Sequence, residues 1–181
     1  MLAAGAGRRF GGPKQLAHVA GRPLVEHALA LVAAFDPLVV LGARADAIRA
    51  GADLGGAEVV VAQDWEEGQA ASLRRGVAAA GDVDALLVVL ADQPGLTPAV
   101  LDGTLARFDP AACDAVRPVF DGVPGHPVLL GRAVLAGVPA LRGDEGAKGL
   151  LRDARVLAWD ATGLADARDV DTPDALRAFE T

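Results

Sequence analysis

Three segments, far apart in the chain, carry residue types that together could handle a polyphosphate. The first is Leu2-Ala3-Ala4-Gly5-Ala6-Gly7-Arg8-Arg9-Phe10-Gly11-Gly12-Pro13-Lys14. Glycines let backbone N–H groups approach a phosphate closely, and Arg and Lys supply the opposing charge; without an anion the same glycines would make only a surface turn. Lys14 stands out because the chain has 17 basic residues, yet only Lys14 and Lys148 are lysines. A compact ammonium reaches between phosphate oxygens where a planar guanidinium does not fit. The second segment runs apolar from Leu86 to Ala91 and ends on Asp92-Gln93-Pro94. A carboxylate at the end of a buried strand stands where open α/β sheets hold ligands, so Asp92 is a candidate metal ligand, with a turn or helix cap as the alternative. The third, Asp169-Val170-Asp171-Thr172-Pro173-Asp174, precedes a helix start. On local grounds Asp171 fits capping and metal binding equally; a partner for Asp92 favours the metal, since magnesium takes one or two carboxylates together with substrate phosphates.

Other chemistries lack their residues. A Walker A loop needs Gly-Lys followed by Ser or Thr, but Pro13-Lys14-Gln15 stands here; Phe10 occupies the place of the third glycine of a dinucleotide fingerprint. Ser72, the sole serine, has no G-x-S-x-G elbow, and no Cys/His or H-E-x-x-H arrangement exists. Ser72 either caps a helix or contacts a nucleotide. His126, boxed in Pro124-Gly125-His126-Pro127, is a structural hydrogen-bond partner or a contact to a second substrate, while His18 and His27 suggest no role. The lone Cys113 excludes an internal disulfide or a C-x-x-C pair and reads as a space filler.

Positioning these groups falls to alternating strands and helices. β-type runs at 37–42, 58–63, 85–92 and 114–119 are separated by helical patterns around 24–35, 69–80 and 98–108. This predicts a doubly wound, largely parallel sheet in one domain over residues 1–181. Thr97-Pro98 and Thr172-Pro173 each set a capping hydroxyl before a proline suited to the first helical turn. Gly and Pro thicken between 121 and 146 into what reads as a loop-rich lobe over a site. The formal charge of −7 argues against a nucleic-acid or anionic-membrane surface. No apolar run approaches a membrane span and no signal segment opens the chain, which points to the cytoplasm.

In order and spacing these segments resemble the MobA-like nucleotidyltransferases, in particular the molybdenum cofactor cytidylyltransferase branch. The resemblance rests on Leu2 to Lys14 for L-A-A-G-x-[SG]-x-R-[MF]-G-x-x-K, and on Gly68 with Ser72-Leu73-Arg74-Arg75-Gly76 for the S-L-R-x-G element. It continues through Leu90 to Pro94, Gly125 to Leu129, Gly143 to Ala147 and Asp169 to Pro173. It implies a three-layer α/β/α, Rossmann-like sheet of the nucleotide-diphospho-sugar transferase type, with a nucleotide-binding part at about 1–94 and an acceptor-binding part at about 95–181. The implied reaction moves CMP from CTP to a molybdopterin-type acceptor phosphate and releases pyrophosphate. The implied catalytic residues are Arg9, Lys14 and Asp92, with Mg2+ on Asp92 and Asp171. Leu2, Ala3, Ala4, Gly5, Gly7 and Ser72 would join them around the nucleotide, and His126, Asp144 and Lys148 would meet the acceptor. Ala4 stands where the guanylyl-transferring branch usually has glycine, which favours CTP over GTP. Contact with molybdenum hydroxylases is implied by the same analogy. GTP, another acceptor such as a sugar phosphate or phosphorylated alcohol, or a non-catalytic nucleotide-binding module remain as alternatives. The family's first strand normally begins several residues before its L-A-A-G. Only Met1 precedes Leu2 here, so a shortened first strand is expected, at a cost in stability, unless the natural start lies upstream or the chain has been clipped.

Overall fold

The structure is a computed structural model that describes residues 1–179. In chain order it contains β1 (Leu2–Ala3), a hairpin of β2 (His18–Val19) and β3 (Arg22–Pro23), α1 (Leu24–Val32), β4 (Leu38–Leu41), α2 (Ala45–Gly51), β5 (Glu58–Val61), α3 (Gln69–Ala80) and β6 (Ala85–Val88). There follow α4 (Pro98–Leu105), β7 (Ala115–Phe120), β8 (Val123–Pro124), β9 (Val128–Gly131), α5 (Arg132–Leu135), α6 (Lys148–Asp153), β10 (Val156–Asp160) and α7 (Pro173–Arg177). Each strand and helix expected from the hydrophobic pattern is present, and α3 covers the same residues as its pattern.

The sheet is assembled in two parts. β1, β4 and β5 pair in parallel; β10, β7, β9 and β6 form the second part, with β9 antiparallel to both its neighbours. Leu2 joins them, because its N–H donates to the Val89 carbonyl at 2.9 Å and its carbonyl accepts from Ala91 N–H at 3.1 Å. The resulting order β5-β4-β1-β6-β9-β7-β10 is mostly parallel, as the resemblance implied.

Side-chain alternation explains the layers. Val39 and Leu41 pack with Val25 and Leu29 of α1 and Ile48 of α2, while Val116, Leu129 and Trp159 pack with Val100 of α4. On the other face Val88, Ala115, Val128 and Leu130 meet Leu73 of α3 and Val134 and Leu135 of α5. Successive residues of one strand point to opposite faces, so apolar strands require helices on both sides.

Three expectations need correction. Residues 121–146 are not merely a lobe: they contain β9, whose Val128–Gly131 are all buried between β6 and β7. The run leading to Asp92 was expected to be buried on both faces, yet Ala85, Leu86 and Leu87 are only half-buried. The reason is β1, which has two residues and leaves one edge of β6 facing an apolar cavity of about 630 Å³, lined also by Leu38, Leu73 and Ala79. Finally, Thr97 begins α4 without capping it; its hydroxyl donates instead to the Leu164 carbonyl at 2.9 Å. Thr172 does cap α7, accepting from Ala175 N–H at 3.1 Å. Cys113 is buried in the core beside Val116 and Trp159. Among the described residues no helix is long and apolar enough to cross a membrane.

Candidate active site

β1 and β6 run side by side and in parallel, so the loop after Ala3 and the Asp92 turn leave the sheet at the same edge, where doubly wound sheets hold their ligands. The loop is held in shape from beneath. Gln15, 3% exposed, donates through Nε2 to the carbonyls of Ala3 at 2.8 Å and Gly5 at 2.9 Å. Gly7 has φ +63° and its carbonyl accepts from Phe10 and Gly11 N–H; a Cβ there would strike the Gly12 carbonyl oxygen. Among the described residues the N–H groups of Gly5, Ala6, Arg8 and Arg9 make no hydrogen bond within the protein, leaving a row of donors for an anion.

Lys14 closes the loop and gathers the two carboxylates. Its Nζ donates to Asp92 Oδ2 at 2.5 Å and to Asp171 Oδ1 at 2.7 Å, and Arg9 donates to Asp171 Oδ2 at 2.7 Å. Asp171 reaches this point because Val170, fully buried, donates its N–H to the Asp92 carbonyl at 2.8 Å. Gln93 adds a second tie through Asp169 Oδ1 at 2.8 Å. The three segments singled out in the sequence therefore converge.

The electrostatics follow from that geometry. Burial draws the Lys14 ammonium down, but attraction to Asp92 and hydrogen bonds to Asp171 and Asp92 outweigh it and hold its pKa above the ordinary value. The Lys14 hydrogen bond, with Arg9 assisting, holds Asp171 below the usual carboxylate range. Burial, and then repulsion from Asp92, push Asp169 up.

The loop roofs a cleft of about 520 Å³ lined by Leu2, Ala3, Ala4, Gly5, Gly7, Arg9, Lys14, Ser72 and Asp92, together with Trp65, Gln69 and Asp144. Ser72 lies within α3, whose N-cap is Gly68, so the capping alternative is not realised; the residue is buried at the cleft wall. Gly68 has φ +108° and packs against Gly143 and the Asp144 carboxylate, while Ala70 N–H donates to the Gly143 carbonyl at 3.0 Å. That contact brings Asp144 from the second half of the chain to the rim. Arg74 braces the same region, donating to Asp64, Glu67 and the Leu141 carbonyl.

A second cavity, of about 710 Å³, adjoins the first through Leu2, Gln69 and Asp144, and it contains the other two expected acceptor residues, His126 and Lys148. Burial and the nearby Arg117 guanidinium lower the His126 pKa to about 4, against a weaker opposing pull from Asp92, so the ring is neutral at pH 7. Sequence reasoning missed Arg117, Gln15 and Trp65. Arg117 left a signal, as a charged residue inside the apolar strand Ala115–Phe120; an amide after Lys14 and a single tryptophan before Gly68 left none.

A model of the MobA-like NTP transferase domain matches residues 1–159. The chain belongs to that family. Among relatives, a nicotine blue oxidoreductase from Paenarthrobacter nicotinovorans is 34% identical over 188 residues, covering 97% of this chain and 92% of that protein. The crystal structure of Rv0371c from Mycobacterium tuberculosis H37Rv superposes with a TM-score of 0.87 at 32% identity, covering 99% of this chain and 94% of the other. A structure of Rv0371c in complex with manganese superposes with a TM-score of 0.83 at 29% identity, covering 99% and 95%. A homologue therefore binds a divalent metal. Here, Asp92 Oδ1 is a buried carboxylate oxygen without a hydrogen-bond partner, and Asp171 stands beside it on Lys14, an oxygen donor set suited to a hard divalent cation.

Proposed function

We propose that this member of the nucleotidyltransferase family transfers CMP from CTP to the terminal phosphate of a molybdopterin-type acceptor, with Mg2+ as the metal. The observation that carries this reading is the Lys14 ammonium set between Asp92 and Asp171 under a loop of unpaired N–H groups.

An oxygen of the acceptor phosphate bonds to the α-phosphorus as the bond from that phosphorus to the oxygen bridging the β-phosphate breaks; that oxygen leaves with pyrophosphate. A phosphate is already an anion at neutral pH, so no general base is needed. The residues of the site position and neutralise instead. The N–H groups of residues 5–9 and the Arg9 and Lys14 cations face the triphosphate. The backbone of Ala3 to Gly5 and the Ser72 hydroxyl border the nucleoside. Asp92 and Asp171 would hold Mg2+, which supplies positive charge to the phosphate oxygens. Residues from about 95 onward, with His126, Asp144 and Lys148, form most of the acceptor side, and the protein acts in the cytoplasm, delivering its product to molybdenum hydroxylases.

The test is pyrophosphate release with Mg2+, each nucleoside triphosphate in turn, and freshly prepared molybdopterin. CTP-dependent release is expected, falling by at least about a hundredfold in Asp92→Ala because a charge-holding group of the transition state is lost. Release with GTP alone, or only with other acceptors, would overturn the CTP or molybdopterin assignment. The oxidoreductase relative, at 34% identity, supports a second reading, in which the cleft serves reduction of an organic substrate. Consumption of a supplied reductant without pyrophosphate release would select it.

A further inference from the structure

We propose that Arg117 determines acceptor specificity, binding the phosphate of a phosphomonoester whose organic part lies in the second cavity. The proposal rests on the transfer reading above and goes beyond it by assigning the group that recognises the acceptor's charge.

Arg117 sits in the middle of β7 between the buried residues Val116 and Pro118. Its Nε is buried without a hydrogen-bond partner, and a terminal nitrogen makes one long bond, 3.3 Å, to the Gly125 carbonyl. Among the described residues no carboxylate pairs with it. The contrast is with Arg74, 18% exposed, which is bound by both Asp64 and Glu67. The more exposed Arg132, Arg155 and Arg168 are likewise paired. Holding an unpaired guanidinium in a half-buried position is unfavourable, and an anion arriving from outside relieves it.

The surroundings define that anion. The cavity shares Leu2, Gln69 and Asp144 with the nucleotide cleft, so a phosphate on Arg117 lies in the space adjoining that cleft. Lys148 adds a second cation on its wall, and Arg152 is engaged with Glu145 at 3.6 Å. His126, influenced by both Arg117 and Asp92, offers a neutral ring that can donate one hydrogen bond without adding charge. Asp144 and Glu145 line the rim of the cavity, while Leu73, Val88, Val128 and Leu130 give another part of it an apolar surface suited to an organic moiety. A planar guanidinium binds two phosphate oxygens and leaves a third for attack.

The test titrates inorganic phosphate into the whole protein by calorimetry, in wild type, Arg117→Met, Arg117→Lys and Lys14→Met. Two phosphate sites are expected, one lost in Lys14→Met and the other weakened at least about tenfold in Arg117→Met, with Arg117→Lys intermediate because charge remains without the fork. In turnover, Arg117→Met should raise the acceptor KM by a similar factor and leave the KM for CTP unchanged. Should Arg117→Met not fold, the Arg117 Nε–H resonance of the wild type carries the test, since phosphate must shift it. Equal phosphate binding in wild type and Arg117→Met, or an unmoved Nε–H resonance, overturns the proposal. Failure of pyrophosphate release with every acceptor overturns the transfer reading and leaves the phosphate result standing, so the two failures are distinguishable.

Discussion

A single ammonium, that of Lys14, separates Asp92 from Asp171, and without it two carboxylates would face each other across a partly buried gap. Residue types made much of this legible: Lys14 was conspicuous among so many arginines, and Asp92 ended an apolar run. The contacts of Gln15 and Gln93 were not legible, because an amide that fastens a loop looks like any polar residue until its carbonyl partners are placed. His126 yields a prediction at this scale. Its ring binds a proton at about pH 4 in the folded protein, against 6.5 ordinarily. Between those values the unfolded chain holds more protons, so the stability that the neutral ring contributes is complete above pH 6.5 and lost as pH falls toward about 4. The loss should amount to about 3 kcal/mol. Urea unfolding across this window should show a steep slope in wild type and a flatter one in His126→Asn; parallel slopes would mean that the ring is not held neutral.

Among the elements, β1 has only two residues, and it is the one on which the site depends. The hydrophobic runs revealed β4, β5, β6 and β7. β9 was hidden because Gly125 and Pro127 flank its sequence, so composition suggested a loop where long-range pairing with β6 and β7 makes a buried strand. What the runs could not reveal is the consequence for β6, whose half-buried edge depends on the reach of a neighbouring strand rather than on its own residues. The apolar cavity beside that edge can be filled from α3. Ala79 lines it and is half-buried, away from the nucleotide cleft. Ala79→Leu should place additional methyl groups against Leu86 and Val88 with good helix propensity, stabilising the fold by about 1 kcal/mol. Thermal denaturation should register a rise of roughly 2–4 °C with CTP affinity unchanged. A fall would show that the space is too tight for the larger side chain.

Across the whole molecule, the site draws on both parts of the sheet. The loop after β1 stands on one side of the Leu2 junction and α3 packs across it, while Asp92, Asp144 and Asp171 come from the chain beyond it. A nucleotide that engages both sets ties together parts of the sheet whose direct link is the short Leu2 pairing, and ligand that binds only the folded state stabilises it by mass action. At about a hundred times its dissociation constant, CTP with Mg2+ should contribute about 2.7 kcal/mol. For a chain of this length that corresponds to a rise in Tm of roughly 5–10 °C. Three arms of one thermal denaturation experiment separate the contributions. CTP with Mg2+ should give the full rise. CTP with a chelator should give a smaller one, because the charge of Lys14 and Arg9 is already taken up by Asp92 and Asp171 and the triphosphate would then lack the metal's charge. Mg2+ alone should give little, since Lys14 and Arg9 already neutralise the two carboxylates. An equal rise with and without chelator would show that Lys14 and Arg9 suffice to hold the triphosphate, and would remove the metal from the binding step.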